Sequence, residues 1–197
     1  MRVMALACTL AAVGALLLTG CETAPKTAAG RVDLDQAVQT TIDNARRTDP
    51  GIQSFIDKSA GYAVFPSVGK GAVVVGGAFG RGELMQGGRM VGYCTLTQAS
   101  VGAALGGQAY SELIFFQTPD VLNDFKSGEY SLSADVSAVA LKSGVSANAA
   151  FTHGLAVFTL GEGGLMVEAS VTGQKFSYEP IAVAMETQPA QAAPPTQ

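Results

Sequence analysis

GYAVFPSVGKGAVVVGGAFGRGELMQGGRMVGYCTLTQASVGAALGG, residues 61–107, decides how the rest of the chain is read. β-Branched and aromatic residues recur through it, among them Val73, Val74, Val75, Phe79, Val91 and Tyr93, interleaved with more than ten glycines. Such side chains fit a pleated sheet surface. A glycine inside a helix costs roughly 0.5–1 kcal/mol relative to alanine, so a helix here would forfeit most of its stability. The paired glycines at 76–77 and 87–88 permit bends, bulges or close backbone approach. The stretch predicts curved antiparallel sheet.

Upstream, residues 1–20 place Arg2 before an apolar core from Leu6 to Leu18, the layout of a secretory leader. That core is shorter than the ~20 apolar residues a bilayer span requires. Leu18-Thr19-Gly20-Cys21 fits the bacterial lipobox, in which small residues admit the peptidase and the cysteine sulfur carries diacylglycerol. The competing reading is an ordinary leader followed by a chance cysteine. Each acyl methylene buried in the bilayer contributes about 0.8 kcal/mol, so two or three chains, palmitate among them, make lipidation at Cys21 an effectively permanent anchor. By analogy with lipoprotein sorting, in which an aspartate after the cysteine retains the protein in the inner membrane, Glu22 favours the outer membrane, facing the periplasm.

The whole chain carries 12 Lys+Arg against 16 Asp+Glu, and removing Arg2 with the leader takes the formal charge from −4 to −5. That balance excludes nucleic acid as a partner, since phosphate backbones need a basic footprint. Headgroup contact with an anionic membrane must therefore be local. Of three cysteines, Cys8 leaves with the leader and Cys21 is acylated, so Cys94 has no internal disulfide partner. Its setting, Val-Gly-Tyr-Cys-Thr-Leu, is that of a buried small hydrophobe.

Residues 21–32 read as a tether, residues 33–180 as one folded domain, and residues 181–197 as a disordered Ala/Gln/Pro/Thr tail. Asp33 with Gln36 forms a capping-box pattern that opens a helix whose apolar face is Leu34, Ala37, Val38, Thr41, Ile42 and Ala45. Asp49-Pro50 starts a second, shorter helix, and Thr118-Pro119-Asp120 a third. The N-terminal helices are expected on the sheet, not on a membrane surface, because their polar faces are poor in Lys and Arg. Strands are expected over residues 109–117, 130–140, 149–160, 165–172 and 174–178, with a hairpin at Thr172-Gly173-Gln174. The fold class is α+β: a strongly curved antiparallel sheet, barrel-like or sandwich, with N-terminal helices and one short inserted helix.

At Tyr62-Ala63-Val64-Phe65-Pro66, Gly69-Lys70-Gly71 and residues 76–82 the chain resembles the SYLF lipid-binding domain family. The likeness continues through Gly106-Gly107-Gln108, Glu112-Leu113-Ile114-Phe115-Phe116, the helix around Leu122 and Phe125, and Gly154-Leu155-Ala156-Val157-Phe158. It spans roughly residues 33–180. The resemblance implies a non-catalytic phospholipid-binding module; eukaryotic relatives bind phosphoinositides, and bacterial members are lipoproteins. Family members carry basic residues after the Phe-Pro step, where this chain has Ser67 and Val68 and keeps only Lys70.

Catalytic readings are weaker on the residues. Ser67-Val68-Gly69-Lys70, Lys142-Ser143-Gly144 and Ser146-Ala147-Asn148 imitate the motifs of a penicillin-binding type serine acylase. That chemistry needs serine and lysine one turn apart on a helix, whereas Pro66, Gly69 and Gly71 set them in strand. His153 is the lone histidine, and no zinc-ligand spacing exists, so no metal and no cofactor is expected. His153 reads as a strand-end side chain. Glu83 and Glu112 could pair as acid and base, but read as solvated surface groups. Binding remains: Lys70, Arg81 and Arg89 lie in or beside the glycine-rich sheet, where exposed amides could receive a lipid headgroup. The alternative is a structural lipoprotein whose sheet edge or groove holds another envelope protein.

Overall fold

In the computed structural model the described residues are 23–72, 75–101, 108–128, 130, 132, 136–161 and 173–181. The leader, Cys21, the expected strand at 165–172, Thr172 of the expected hairpin and residues 182–197 lie outside them. Three helices, α1 (Ala28–Thr48), α2 (Ile52–Lys58) and α3 (Pro119–Lys126), accompany seven strands. The strands are β1 (Gly61–Ala72), β2 (Val75–Gln86), β3 (Arg89–Val101), β4 (Gln108–Phe116), β5 (Ala138–Ala140), β6 (Leu155–Gly161) and β7 (Gln174–Pro180). They form one sheet in the order β5-β6-β4-β1-β2-β3-β7. Every pairing is antiparallel except β5 with β6, so the sheet is mixed at one edge, and of the strand expected over 130–140 the described residues form a strand over Ala138–Ala140.

Pro66 explains the first bend. Opposite both neighbours, β1 carries one extra residue between Val64 and Val68, where Ser67 pairs with Arg81 and Val68 with Tyr110. Proline has no N–H to give the ladder, so in a central strand it is tolerated at a bulge. The Ser111 hydroxyl donates to the Pro66 carbonyl at 2.7 Å, supplying the bond that the ladder omits. A Cβ on Gly82 would sit 2.2 Å from the Val64 carbonyl oxygen and 2.8 Å from Phe65, so only glycine lets β1 and β2 approach beside the bulge. At the β2–β3 turn Gly87 and Gly88 adopt φ of 59° and 75°, the left-handed values that tight hairpins require.

The sheet curls until its two halves touch. Four positions separate β4 from β7 in strand order, yet the Gln174 amide of β7 donates to the Glu112 carboxylate of β4 at 3.0 Å, and Phe65 and Phe176 lie 5.8 Å apart. The concave side is filled by Phe65, Val68, Leu96, Ile114, Phe116 and Phe176, and is covered by Leu122 and Phe125 of α3. Residues 130 and 132 hydrogen-bond along the free edge of β7, and the chain then reaches β5 at the opposite edge, so one segment touches both margins. On the convex side Val38, Ile42 and Ala45 of α1 with Ile52 and Phe55 of α2 bury Tyr62, Val64, Met85, Leu113, Phe115 and Phe158. Both faces of the sheet are therefore covered beside α1, α2 and α3, and the N-terminal helices lie on the sheet as expected.

α1 begins five residues before the capping box. Its N-cap is Thr27, whose hydroxyl accepts from the Gly30 N–H at 3.0 Å, in place of Asp33. Residues 23–25, read as tether, are buried: Ala24 packs on Tyr93, and its N–H donates to the Glu179 carboxylate at 3.1 Å. Asp49 caps the α1–α2 corner a little differently from the sequence expectation, since Gly51 is the N-cap of α2. The Asp49 carboxylate accepts from the Gly51 N–H at 3.0 Å and from the Ser146 N–H at 2.7 Å, clamping the corner to a distant loop. α3 starts at Pro119 with Thr118 as N-cap, as its sequence indicates.

Candidate functional site on the convex face

Alternation along the strands sorts the convex face into rows that cross the sheet. One row is Lys175, Thr97, Phe79 and Gly69, and the next is Ser177, Thr95, Arg81 and Ser67, contributed by β7, β3, β2 and β1. Phe79 is 41% exposed, an unusual state for a large apolar side chain in this sheet. The Arg81 guanidinium lies 5.8 Å from the centre of its ring, within reach of a cation–π contact. Lys175, Thr97, Gly69 and Ser67 are exposed around this pair. A Cβ on Gly69 would meet only the Phe79 carbonyl oxygen, at 4.0 Å. The patch is thus one aromatic, two cations, two hydroxyls and open backbone.

Ser67 links the patch to a groove of about 780 Å³ between α1 and the sheet. One wall is Thr40, Thr41, Asn44 and Arg47 of α1, and the other is Pro66, Ser67, Ser111 and Leu160. The Thr40 and Thr41 hydroxyls donate to the carbonyls of Gln36 and Ala37, at 2.8 and 2.9 Å. Arg47 donates to the Asn44 side-chain oxygen and is exposed at the rim. Among the described residues Arg47 is the one charged residue lining this groove.

The chain is similar to part of a larger known protein. Over 156 residues, 77% of this chain, it is 28% identical to the Beta cell expansion factor A of Aeromonas veronii. The match takes in 59% of that protein, so the chain spans about three-fifths of its length. No family model matches the chain.

Of the cations singled out in the sequence, Arg81 is in the patch. The Lys70 backbone stands next to Gly69 in β1, opposite Ala78 and Gln108. Arg89 pairs with Gln86 at the far end of the hairpin, five residues or about 17 Å along β2 from Arg81, so the fold does not bring it to the others. Lys175 and Phe79 were not among the expected site residues. Lys175 is distant in sequence from both, and only the pairing of β7 with β3 brings it into the row of Thr97 and Phe79.

Both glutamates read as surface acids are buried, at 1% exposure for Glu83 and 0% for Glu112. They also lie on opposite faces, Glu83 under α1 and Glu112 in the concave interior, so they form no acid–base pair. Burial, reinforced by Asp35, raises the Glu83 pKa to about 7. Glu112 accepts from Gln174, whose amide also approaches the Tyr110 hydroxyl at 3.5 Å. Burial first, then Glu112, pushes the Tyr110 phenol far up. Cys94 is fully buried and its thiol is likewise raised well above the usual value by desolvation.

The serine acylase motifs are dispersed. Ser67 and Lys70 are in strand β1, whereas three residues on a helix would share a face; Asn148 lines another cavity, with Val136 and Leu155. His153 sits at φ 51° in a turn with Gly154, between Thr152 and Leu155. Among the described residues no cluster of His, Cys, Asp and Glu could hold a metal, and no helix is long and apolar enough to cross a membrane.

Proposed function

We propose that this chain is a lipid-anchored protein of the bacterial envelope, attached through Cys21 and facing the periplasm from the outer membrane, whose SYLF-type domain binds phospholipid without catalysis. The observation that carries the reading is the convex patch. An exposed Phe79 flanked by Arg81 and Lys175 pairs an apolar tip with two phosphate-seeking cations, on a sheet surface otherwise made of glycine and hydroxyls. This is the chemistry of the interface between acyl chain and headgroup. The acidic net charge agrees with local headgroup contact in preference to broad electrostatic adhesion. The similar Aeromonas protein carries a name that describes an effect on beta cells and specifies no ligand.

Co-sedimentation with anionic vesicles tests the reading, using the chain expressed from residue 21 with Cys21→Ser so that no acyl group contributes. It pellets with vesicles, and the pair Phe79→Ser and Lys175→Glu lowers the bound fraction at least about fivefold. Equal pelleting of both proteins removes the patch from the account. If the unacylated chain ignores vesicles while the acylated form co-purifies an envelope protein from detergent extract, the scaffold alternative replaces this one.

A further inference from the structure

The groove beside α1 has a hydrogen-bonding character that narrows what can lie in it. A threonine or serine hydroxyl owns one proton and two lone pairs. Thr40 has committed its proton to the Gln36 carbonyl, Thr41 to that of Ala37, and Ser111 to that of Pro66. What these three side chains offer a ligand is therefore acceptor capacity on both walls of the same groove. A guest made only of acceptors, such as a bare phosphate ester, would leave them facing lone pair to lone pair. Arg47 at the rim, with one of its guanidinium nitrogens bonded to Asn44, supplies the opposite requirement, an anion. An ammonium head would bring a second cation to Arg47, and a choline head has no N–H or O–H to donate.

We propose that the groove takes an anionic phosphodiester bearing free hydroxyls, the phosphoglycerol class of lipid headgroup, with its two hydroxyls donating to Thr40 and to Thr41 or Ser111 and its phosphate at Arg47. This rests on the lipid-binding reading above and specifies the headgroup for it. About 780 Å³ holds such a headgroup, and the groove joins the Phe79 patch through Ser67, so a headgroup in the groove leaves its glycerol ester end pointing toward the exposed aromatic. Arg47 and Arg81 then bracket the headgroup from the two ends of the Ser67 junction.

Two lipids of equal charge separate the claims: phosphatidylglycerol, and phosphatidylethanol, whose headgroup carries the same phosphodiester without hydroxyls. The Cys21→Ser chain is titrated with phosphatidylcholine vesicles doped equally with one or the other. One well-made hydrogen bond corresponds to roughly a fivefold preference for phosphatidylglycerol. Thr40→Val, at an exposed helix position, lowers the ratio by about the factor of one hydrogen bond while binding to phosphatidylethanol persists, and Thr40→Ser restores it. Equal affinity for the two lipids in the unsubstituted chain overturns the headgroup assignment and leaves lipid binding standing. Failure to bind either vesicle overturns the lipid-binding reading, and failure to bind soluble glycerol phosphate as well overturns the headgroup assignment with it. A titration with soluble glycerol phosphate distinguishes the source: if it binds while vesicles do not, the groove's chemistry stands and the membrane is not its supplier.

Discussion

Replacing Glu83 by glutamine should make the domain's stability insensitive to pH over the range in which the native protein weakens. Glu83 is 1% exposed, lies beneath α1 opposite Tyr93, and faces Asp35, while its Oε2 has no hydrogen-bond partner among the described residues. Burial and the Asp35 charge both oppose ionisation, so the folded state favours the protonated acid. Its pKa rises from an ordinary 4.5 to about 7. Between those values the folded chain holds a proton that the unfolded chain has released, so stability falls as pH rises. The loss is complete just above the folded pKa. It amounts to at most roughly 3 kcal/mol, from 1.36 kcal/mol per pKa unit. Urea unfolding followed by circular dichroism at half-unit steps from pH 5 to 8.5 measures it. The native protein should lose this stability across the range, whereas Glu83→Gln, which mimics the neutral acid, should stay level and exceed it at pH 8. Parallel curves for the two proteins would refute the placement of a buried carboxylate under α1.

Asp49 should behave in the opposite sense. Burial alone would raise its pKa, but bonds from Ser146, Gly51 and Gly144 outweigh it and hold the value below normal, so its contribution is present above pH 4 and disappears in stronger acid. Asp49→Ala, which orphans the Gly51 and Ser146 N–H groups, should cost about 2 kcal/mol at pH 7 by urea unfolding, and much less at pH 3. Gly82→Ala drives a methyl into the Val64 carbonyl and should destabilise by about 3 kcal/mol or prevent folding. Gly69→Ala, with open space around its Cβ, should change the unfolding midpoint little.

The sheet was legible because its signals are local. Glycine density excludes helix and β-branched residues favour strand, although the bulge at Pro66 was not foreseen. Residues 110–116 even announce that both faces are covered, since Tyr110, Ile114 and Phe116 alternate with Leu113 and Phe115, leaving neither parity polar. Followed through, that pattern would have placed Glu112 inside. Glu83 gives no such warning: it alternates with Phe79, Arg81 and Met85, a mixed face whose burial depends on a helix more than thirty residues upstream. The start of α1 was misplaced because a capping box is also a good helix interior when Ala28 and Ala29 precede it and residues 23–25 dock on the sheet. The site suffered most. Cations gather on a sheet by register, and register between β3 and β7 is set by interior packing that no short motif encodes, which is why Lys175 was missed and Arg89 included.

The burial of residues 23–25 bears on how an anchored domain would stand at a membrane. Cys21 is two residue steps from Thr23, a reach of about 7 Å, so acyl chains on Cys21 would enter the bilayer close to where Ala24 meets Tyr93 and Glu179. That point is on the convex face at its β3–β7 side. Four residues along β7, about 13 Å, lies Lys175, beside Thr97 and Phe79. An anchor at Cys21 would therefore turn the patch toward the lipid and α3, on the concave side, away from it. Spin labels on Thr97→Cys and on Asp124→Cys of α3, both exposed positions, report this directly in the acylated protein, because buried Cys94 offers no competing thiol. Relaxation by a nickel chelate carried on lipid headgroups should be several-fold stronger at position 97 than at 124. Inserting twelve Gly/Ser residues after Glu22 should erase the difference, because the linker frees the domain to tumble. A stronger effect at 124, or equal effects before the insertion, would mean that the buried N-terminal residues do not orient the domain and that the patch meets something other than the membrane holding Cys21.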